Sequence, residues 1–212
     1  MKIGPKYKIC RRLGSRVFGK CETTKFSISG APVGQKGGKG SAKRGRPKAL
    51  SEYGSQLLEK QKARYAYGLK AHQFANYVKA LRAHSAKNST PVTQLYQSLE
   101  SRLDNVVFRL GIAKTRLAAR QLVSHGHITV NGRKLNIPSY RVQVGETVAI
   151  RPGSRERGVF KNLDERLKDY REPEWLLFDL AKREGVVKAL PQTGAADLDI
   201  NFGAILEFYS RV

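Results

Sequence analysis

The sequence is short of acids, cysteines and long apolar runs, and each shortage excludes something. Asp and Glu number 17 against 40 Lys and Arg, a formal net charge of +23 at pH 7 over 212 residues. A body so charged repels itself unless something neutralises it, so a polyanionic partner is the leading inference. Two cysteines, Cys10 and Cys21, cannot build a disulfide scaffold, and a reducing compartment is the expectation. No run approaches the ~18 consecutive apolar residues of a spanning helix, which excludes an integral helical membrane protein. The opening residues carry cations but none of the apolar stretch of a signal peptide. Hydrophobic residues still make up 40% of the chain, enough for a modest core in one or two domains and too many for a wholly disordered chain.

The acids that exist are placed unevenly. Residues 1–51 hold 14 Lys+Arg and one acid, Glu22, for a net of +13. Residues 52–98 and 99–150 are each +5, and residues 151–212 are neutral with 11 of each sign. The amino-terminal quarter therefore reads as an electropositive arm. Within it, residues 30–48 (GAPVGQKGGKGSAKRGRPK) place six glycines and six cations in 19 positions. That composition cannot bury a core, and it suits a tail that orders along phosphates. A nucleotide-binding loop is missing: Gly40 and Gly45 have the phosphate-loop spacing, but Arg46-Pro47 follows where Lys-Ser/Thr is needed, and there is no GxGxxG.

The middle of the chain is patterned. Residues 51–67 read as a helix capped by Ser51 or Ser55 and ended by Gly68, with Lys60 and Arg64 on one face. Phe74, Tyr77, Val78 and Leu81 make an apolar stripe on a second helix over about 70–83. Thr90-Pro91 opens a third, whose period runs without interruption to a left-handed stop at Gly111. Thr115 caps a fourth helix ending at Gly126, and Arg116 and Arg120 on it are expected to point outward. The third and fourth helices form a helix-turn-helix-like pair. The period then changes. Ile128–Val130 and Arg133–Leu135 flank Asn131-Gly132, a two-residue hairpin turn. Tyr140–Val144 and Thr147–Ile150 read as a second strand pair about Gly145-Glu146. Residues 172–190 read as a proline-started helix around Trp175 ending at Gly185, with a strand after it, and Ile200–Phe208 as a last apolar segment. The fold class is α+β: a basic arm, a discontinuous helical domain, and an inserted module of helix-turn-helix-like pair plus small β-sheet.

The run RLDNVVFRLGIAKTRLAARQLVSHGHITVNGRKLNIPSYRVQVGE (102–146) closely resembles the S-four RNA-binding domain. Its flanks resemble the S-four family of bacterial-type small-subunit (30S) ribosomal proteins: ICRRLG (9–14), LLEKQKARYAYG (57–68), QFANYVKA (73–80) and AILEFYSRV (204–212). The resemblance implies four parts: a Gly/Lys-rich arm over 1–50, a helical domain over 51–98, the RNA-binding domain over 99–171, and a segment over 172–212 that packs back on the helical domain. It further implies a structural constituent of the small subunit that binds 16S ribosomal RNA at a multi-helix junction, nucleates assembly and influences translational accuracy in the cytoplasm. Neighbouring small-subunit proteins of the S-five family are implied partners, with messenger RNA a further one in some members, and no membrane.

The RNA-binding candidates follow from residue chemistry. A-form RNA is gripped through phosphates, 2′-hydroxyls and exposed bases. Arg11, Arg12, Lys43, Arg44 and Arg46 in the arm, Lys60 and Arg64 on the helical domain, and Arg116 and Arg120 on the short helix offer cationic heads. Ser124, His125, His127, Asn131, Arg133, Asn136, Ser139, Tyr140 and Arg141 add polar tips around one concavity. Asn131 serves its turn equally well, and Tyr140 serves packing. Many family members bind zinc through a cysteine cluster in the arm. Here two cysteines, with no histidine before His72, fall short of four ligands, so no metal and no cofactor are expected. An RNA-modifying enzyme using the same module as a handle needs ~150 further residues, and about 50 remain. A stalled-ribosome binder would lack the long helical domain and the arm. The chain is read as a binder without catalysis.

Overall fold

The structure is a computed structural model that describes residues 3–22, 50–83, 89–168, 170–192 and 200–211. It divides into two compact units, Met1–Val78 with Leu198–Val212, and Lys79–Asp197.

In the first unit, α1 (Lys6–Leu13) ends at Gly14, whose φ of 63° suits a residue without Cβ. A 3-10 turn over Gly19–Cys21 follows and brings Cys21 beside Cys10. Both thiols are wholly buried, and burial, then the hydrogen bond with Cys10, pushes the Cys21 thiol up to about 12. The thiolate is the reactive form. Maleimide at pH 8 should therefore leave Cys21 unmodified in the folded chain and label it on denaturation, as read by intact mass. Among the described residues, no group of three or more His, Cys, Asp or Glu could hold a metal.

Helix α2 (Glu52–Ala66) begins where Ser51 Oγ accepts from the Gly54 backbone N–H, so Ser51 rather than Ser55 is the cap. Gly68, at φ 63°, follows its end. Helix α3 (Ala71–Ala83) buries Phe74 and Val78 of the expected stripe. The carboxyl-terminal helix α8 (Phe202–Ser210) lies on α2: Tyr53 packs on Phe208, Gln56 donates to Glu207, and the Asn201 N–H donates to Glu59 across 142 residues of sequence.

In the second unit, the long third helix is two. Helix α4 (Pro91–Glu100) and α5 (Leu103–Arg109) are separated at Arg102, which is extended at ψ 137°. Returning chain supplies the reason. Leu103 N donates to Tyr140 O, Asp104 N to Pro138 O, and Val142 N to Ser101 O. Backbone groups that a continuous helix would have used are spent on residues 138–142 instead. Thr115 caps α6 (Arg116–Ser124), and α6 packs on α5.

Strands β1 (Ile128–Val130) and β2 (Arg133–Lys134) form the expected hairpin, with Asn131 at φ 49° and Gly132 at φ 77°. The second expected hairpin does not form. Tyr140–Val144 contributes only a single bridge, Arg102 to Arg141, while β3 (Thr147–Ile150) pairs with β1. Its other edge takes residues that were expected to be helical. After the short helix α7 (Leu163–Lys168), β4 (Leu176–Asp179) and β5 (Glu184–Val187) form a hairpin, and β5 pairs with β3. The sheet is antiparallel throughout, in the order β2-β1-β3-β5-β4. Gly185 does not stop a helix. It lies where a Cβ would sit 2.5 Å from Leu110 Cδ1, so glycine allows the strand to close on α5. Asp179 Oδ1 accepts from the N–H groups of Ala181 and Lys182 and shapes the turn. The core between this sheet and α5–α6 includes Val106, Leu110, Val123, Ile128, Ile150, Phe160 and Trp175.

Candidate nucleic-acid interface

Folding sorts the charges of the module. Residues 99–150 contain three acids and eight cations. Glu100 and Asp104 are turned into the protein, and four arginines follow them. Arg109 grips Glu100 through Nε at 2.8 Å and Nη2 at 3.1 Å, and Asn105 donates to the same carboxylate at 2.8 Å. Arg102 forks onto Asp104 at 3.0 and 2.7 Å. Arg116, expected outside, lies 13% exposed: Nε donates to Asn105 Oδ1, Nη2 is 3.9 Å from Glu100, and the guanidinium stacks over Phe108. Arg120 is 3.5 Å from Asp104 and 23% exposed. The expectation that Arg116 and Arg120 point outward is therefore corrected. Two acids, Glu100 at the end of α4 and Asp104 in the first turn of α5, draw these arginines in. The remaining cations, Lys114, Arg133, Lys134 and Arg141, are exposed.

The third acid, Glu146, is fully engaged. It accepts from Tyr140 OH at 2.8 Å, from the Gln143 N–H at 2.7 Å and from Asn131 Nδ2 at 3.4 Å. The hydrogen bond to Glu146, then burial, raises the Tyr140 phenol above its ordinary range. Asn131 also accepts from the Thr147 N–H, so it serves the hairpin. Asn131, Arg133 and Tyr140, with Val130, Leu135 and Glu146, line a cavity of about 450 Å³. Asn136, Ser139 and Arg141 are exposed but do not line it.

His125 and His127 lie elsewhere, so the polar tips do not share one concavity. His125 is exposed, and His127 is buried with Nδ1 3.0 Å from Ser154 Oγ. Burial, then Arg157, His125, Arg151 and Lys134, holds the His127 imidazole below its ordinary 6.5. The unfolded chain takes up this proton first as pH falls, and the folded chain only later. Stability present above about 6.5 is thus lost as pH drops through the folded value. A thermal midpoint that declines between pH 7 and pH 5, with the decline reduced in His127→Gln, is the expected result.

Arg151, Ser154 and Arg157 were not singled out from the sequence. Their signal was the cation-rich RPGSRER run next to β3, overlooked because the last quarter is neutral overall. In the other unit, Arg11 and Arg12 are exposed on α1. Lys60 is half-buried with Nζ 4.2 Å from the Phe208 ring centroid and 4.9 Å from that of Tyr209, and burial, then Arg64, lowers its pKa. Arg64 stacks on Tyr65. Lys43, Arg44 and Arg46 lie outside the described residues.

Two family descriptions match this chain: "Ribosomal protein S4/S9 N-terminal domain" over residues 1–100 and "S4 domain" over residues 101–148. Together they define a ribosomal protein carrying an RNA-binding S4 domain. Proteins named small ribosomal subunit protein uS4 are similar along the whole chain. That of Roseiflexus castenholzii is 49% identical over 99% of this chain and 98% of its own, and that of Chloroflexus aurantiacus is 47% identical over the same shares. That of Geobacillus stearothermophilus is 44% identical over 98% of each. The chain belongs to the uS4 family, whose members are structural proteins and not enzymes.

Proposed function

We propose that this chain binds 16S ribosomal RNA directly at a multi-helix junction, as a structural constituent of the small ribosomal subunit. Family membership supports the coarse reading of ribosomal RNA binding within that particle. The observation that carries the mechanism is the charge sorting of the module. Its acids are withdrawn into the interior or hydrogen-bonded, while Arg133, Lys134 and Arg141 remain exposed. Exposed guanidiniums can fork onto phosphate oxygens. Asn136, Ser139 and Ser124 add neutral partners for 2′-hydroxyls and base edges. Arg116 and Arg120 act mainly by holding α6 on α5, so that the His125–His127 loop and the hairpin are presented rigidly.

On this reading Arg11 and Arg12 meet RNA from α1, and Lys43, Arg44 and Arg46 meet it from the Gly/Lys-rich stretch further along the arm. Helices α2 and α3, completed by α8, form the helical body, from which Lys60 and Arg64 reach phosphates. The reading module runs from α4 through β5, because β4 and β5 complete its sheet. Binding early to a junction would hold its helices together, which is how the protein would nucleate assembly. The same position would let it influence decoding accuracy, contact a neighbour of the S-five family and engage messenger RNA. The test is reconstitution: the chain should sediment with small subunits and protect one junction of 16S RNA from chemical probing. Scattered protection that follows total charge alone would reject the reading.

A further inference from the structure

Two cavities meet at His125 and His127. One, of about 380 Å³, is lined by those histidines, Arg151, Gly153, Ser154 and Arg157. The other, of about 290 Å³, shares both histidines and is walled by Ile112, Ala113, Leu122 and Val159, with Lys114 and Gln121 among its polar tips. Among the described residues, no carboxylate lines either. Distant segments build the pair. The loop after α6 carries the histidines, and the turn after β3 carries the arginines and Ser154. The Arg151 N–H donates to His127 O at 2.9 Å and ties the two together. Ser154 engages His127 Nδ1, which leaves Nε2 as the ring nitrogen for a ligand. Val159, 60% exposed, keeps the apolar cavity open to entry.

We propose that the two cavities form one nucleotide-sized site, which seats an unstacked RNA base against Ile112, Leu122 and Val159 and its phosphate between Arg151 and Arg157. This rests on the RNA-binding reading above and adds to it a place where a single base, and not only the backbone, is read. Proteins discriminate RNA sequence chiefly at bases splayed out of the helix, because the A-form major groove hides the rest. Arginines supply paired donors to phosphate oxygens, and the apolar wall takes a base face. The crowd of cations around His127 suits the same ligand: a bound phosphate would offset their repulsion and make that imidazole easier to protonate.

The experiment uses the full chain and two probes, a nucleoside 5′-monophosphate and ribose 5-phosphate, followed by histidine ring and valine methyl NMR. At constant ionic strength the monophosphate should shift His125, His127 and Val159 saturably and raise the His127 titration point. Ribose 5-phosphate should bind about tenfold more weakly and spare Val159. Arg151→Gln with Arg157→Gln should abolish the shifts. It should also weaken junction-RNA binding about tenfold more than Lys182→Gln with Lys188→Gln, which removes equal charge elsewhere. Absence of histidine shifts overturns the site, whatever the chain does with junction RNA. Shifts without the excess RNA loss mean that a free nucleotide occupies it, and they overturn the RNA form of the proposal. An unaltered chain that ignores junction RNA would instead remove the broader reading.

Discussion

Glu100→Ala should remove about 3–5 kcal/mol of stability and lower the thermal midpoint by roughly 10 °C or more. Glu100 has no exposed surface, yet it anchors Arg109, Asn105 and Arg116 from α5 and α6. Its loss leaves two guanidiniums in the interior without the carboxylate that offsets their desolvation. Arg116→Ala with Arg120→Ala should lower the midpoint as well, because the heads stabilise the α5–α6 contact. Arg133→Gln with Arg141→Gln, on exposed positions, should leave stability within about 0.5 kcal/mol while weakening RNA binding. Circular dichroism melts on the three variants separate the two kinds of arginine. An unmoved midpoint in Glu100→Ala would show that the buried network does not hold the helices.

Affinity for junction RNA should fall steeply with salt. A chain that neutralises 6–10 phosphates loses about a thousand- to a hundred-thousandfold in affinity between 50 and 200 mM salt, with a log–log slope of about −0.7 per contact on single strands and about −0.9 on duplex. A net charge of +23, with its largest share in residues 1–51, puts this chain in that regime. Filter binding at several salt concentrations reads the slope. A slope near zero would mean that neutral hydrogen bonds and stacking carry the complex, and that the cations serve another purpose.

Local rules made much of the fold readable. Ser51, Thr90 and Thr115 cap helices by accepting from the N–H three residues on, and Asn131-Gly132 turns a hairpin because both residues tolerate positive φ. What stayed hidden was decided by distant chain. Nothing within residues 95–110 signals a break at Arg102, because the groups that impose it are the backbone of Pro138, Tyr140 and Val142. Glu-Pro-Glu-Trp looked like a helix start, but residues 176–187 are drawn onto the free edge of β3, where only glycine fits beside Leu110. The interface was legible in residue type more than in placement. Arg133 and Arg141 are exposed as their chemistry suggests, whereas Arg116 and Arg120 turn inward to two carboxylates that charge counting treats as ordinary surface acids. Arg151 and Arg157 joined the histidines only through tertiary structure.

The two ends of the sheet differ in what they offer a second molecule. On one side the outermost strand, β2, is two residues long, and both are cations, so like strands approaching it meet repulsion and run out of pairing partners at once. On the other, β4 runs four residues and bares Leu177. During synthesis, before any polyanion has been met, this asymmetry guards the cationic border against self-templated pairing and leaves β4 as the border where wrongly joined chains would begin.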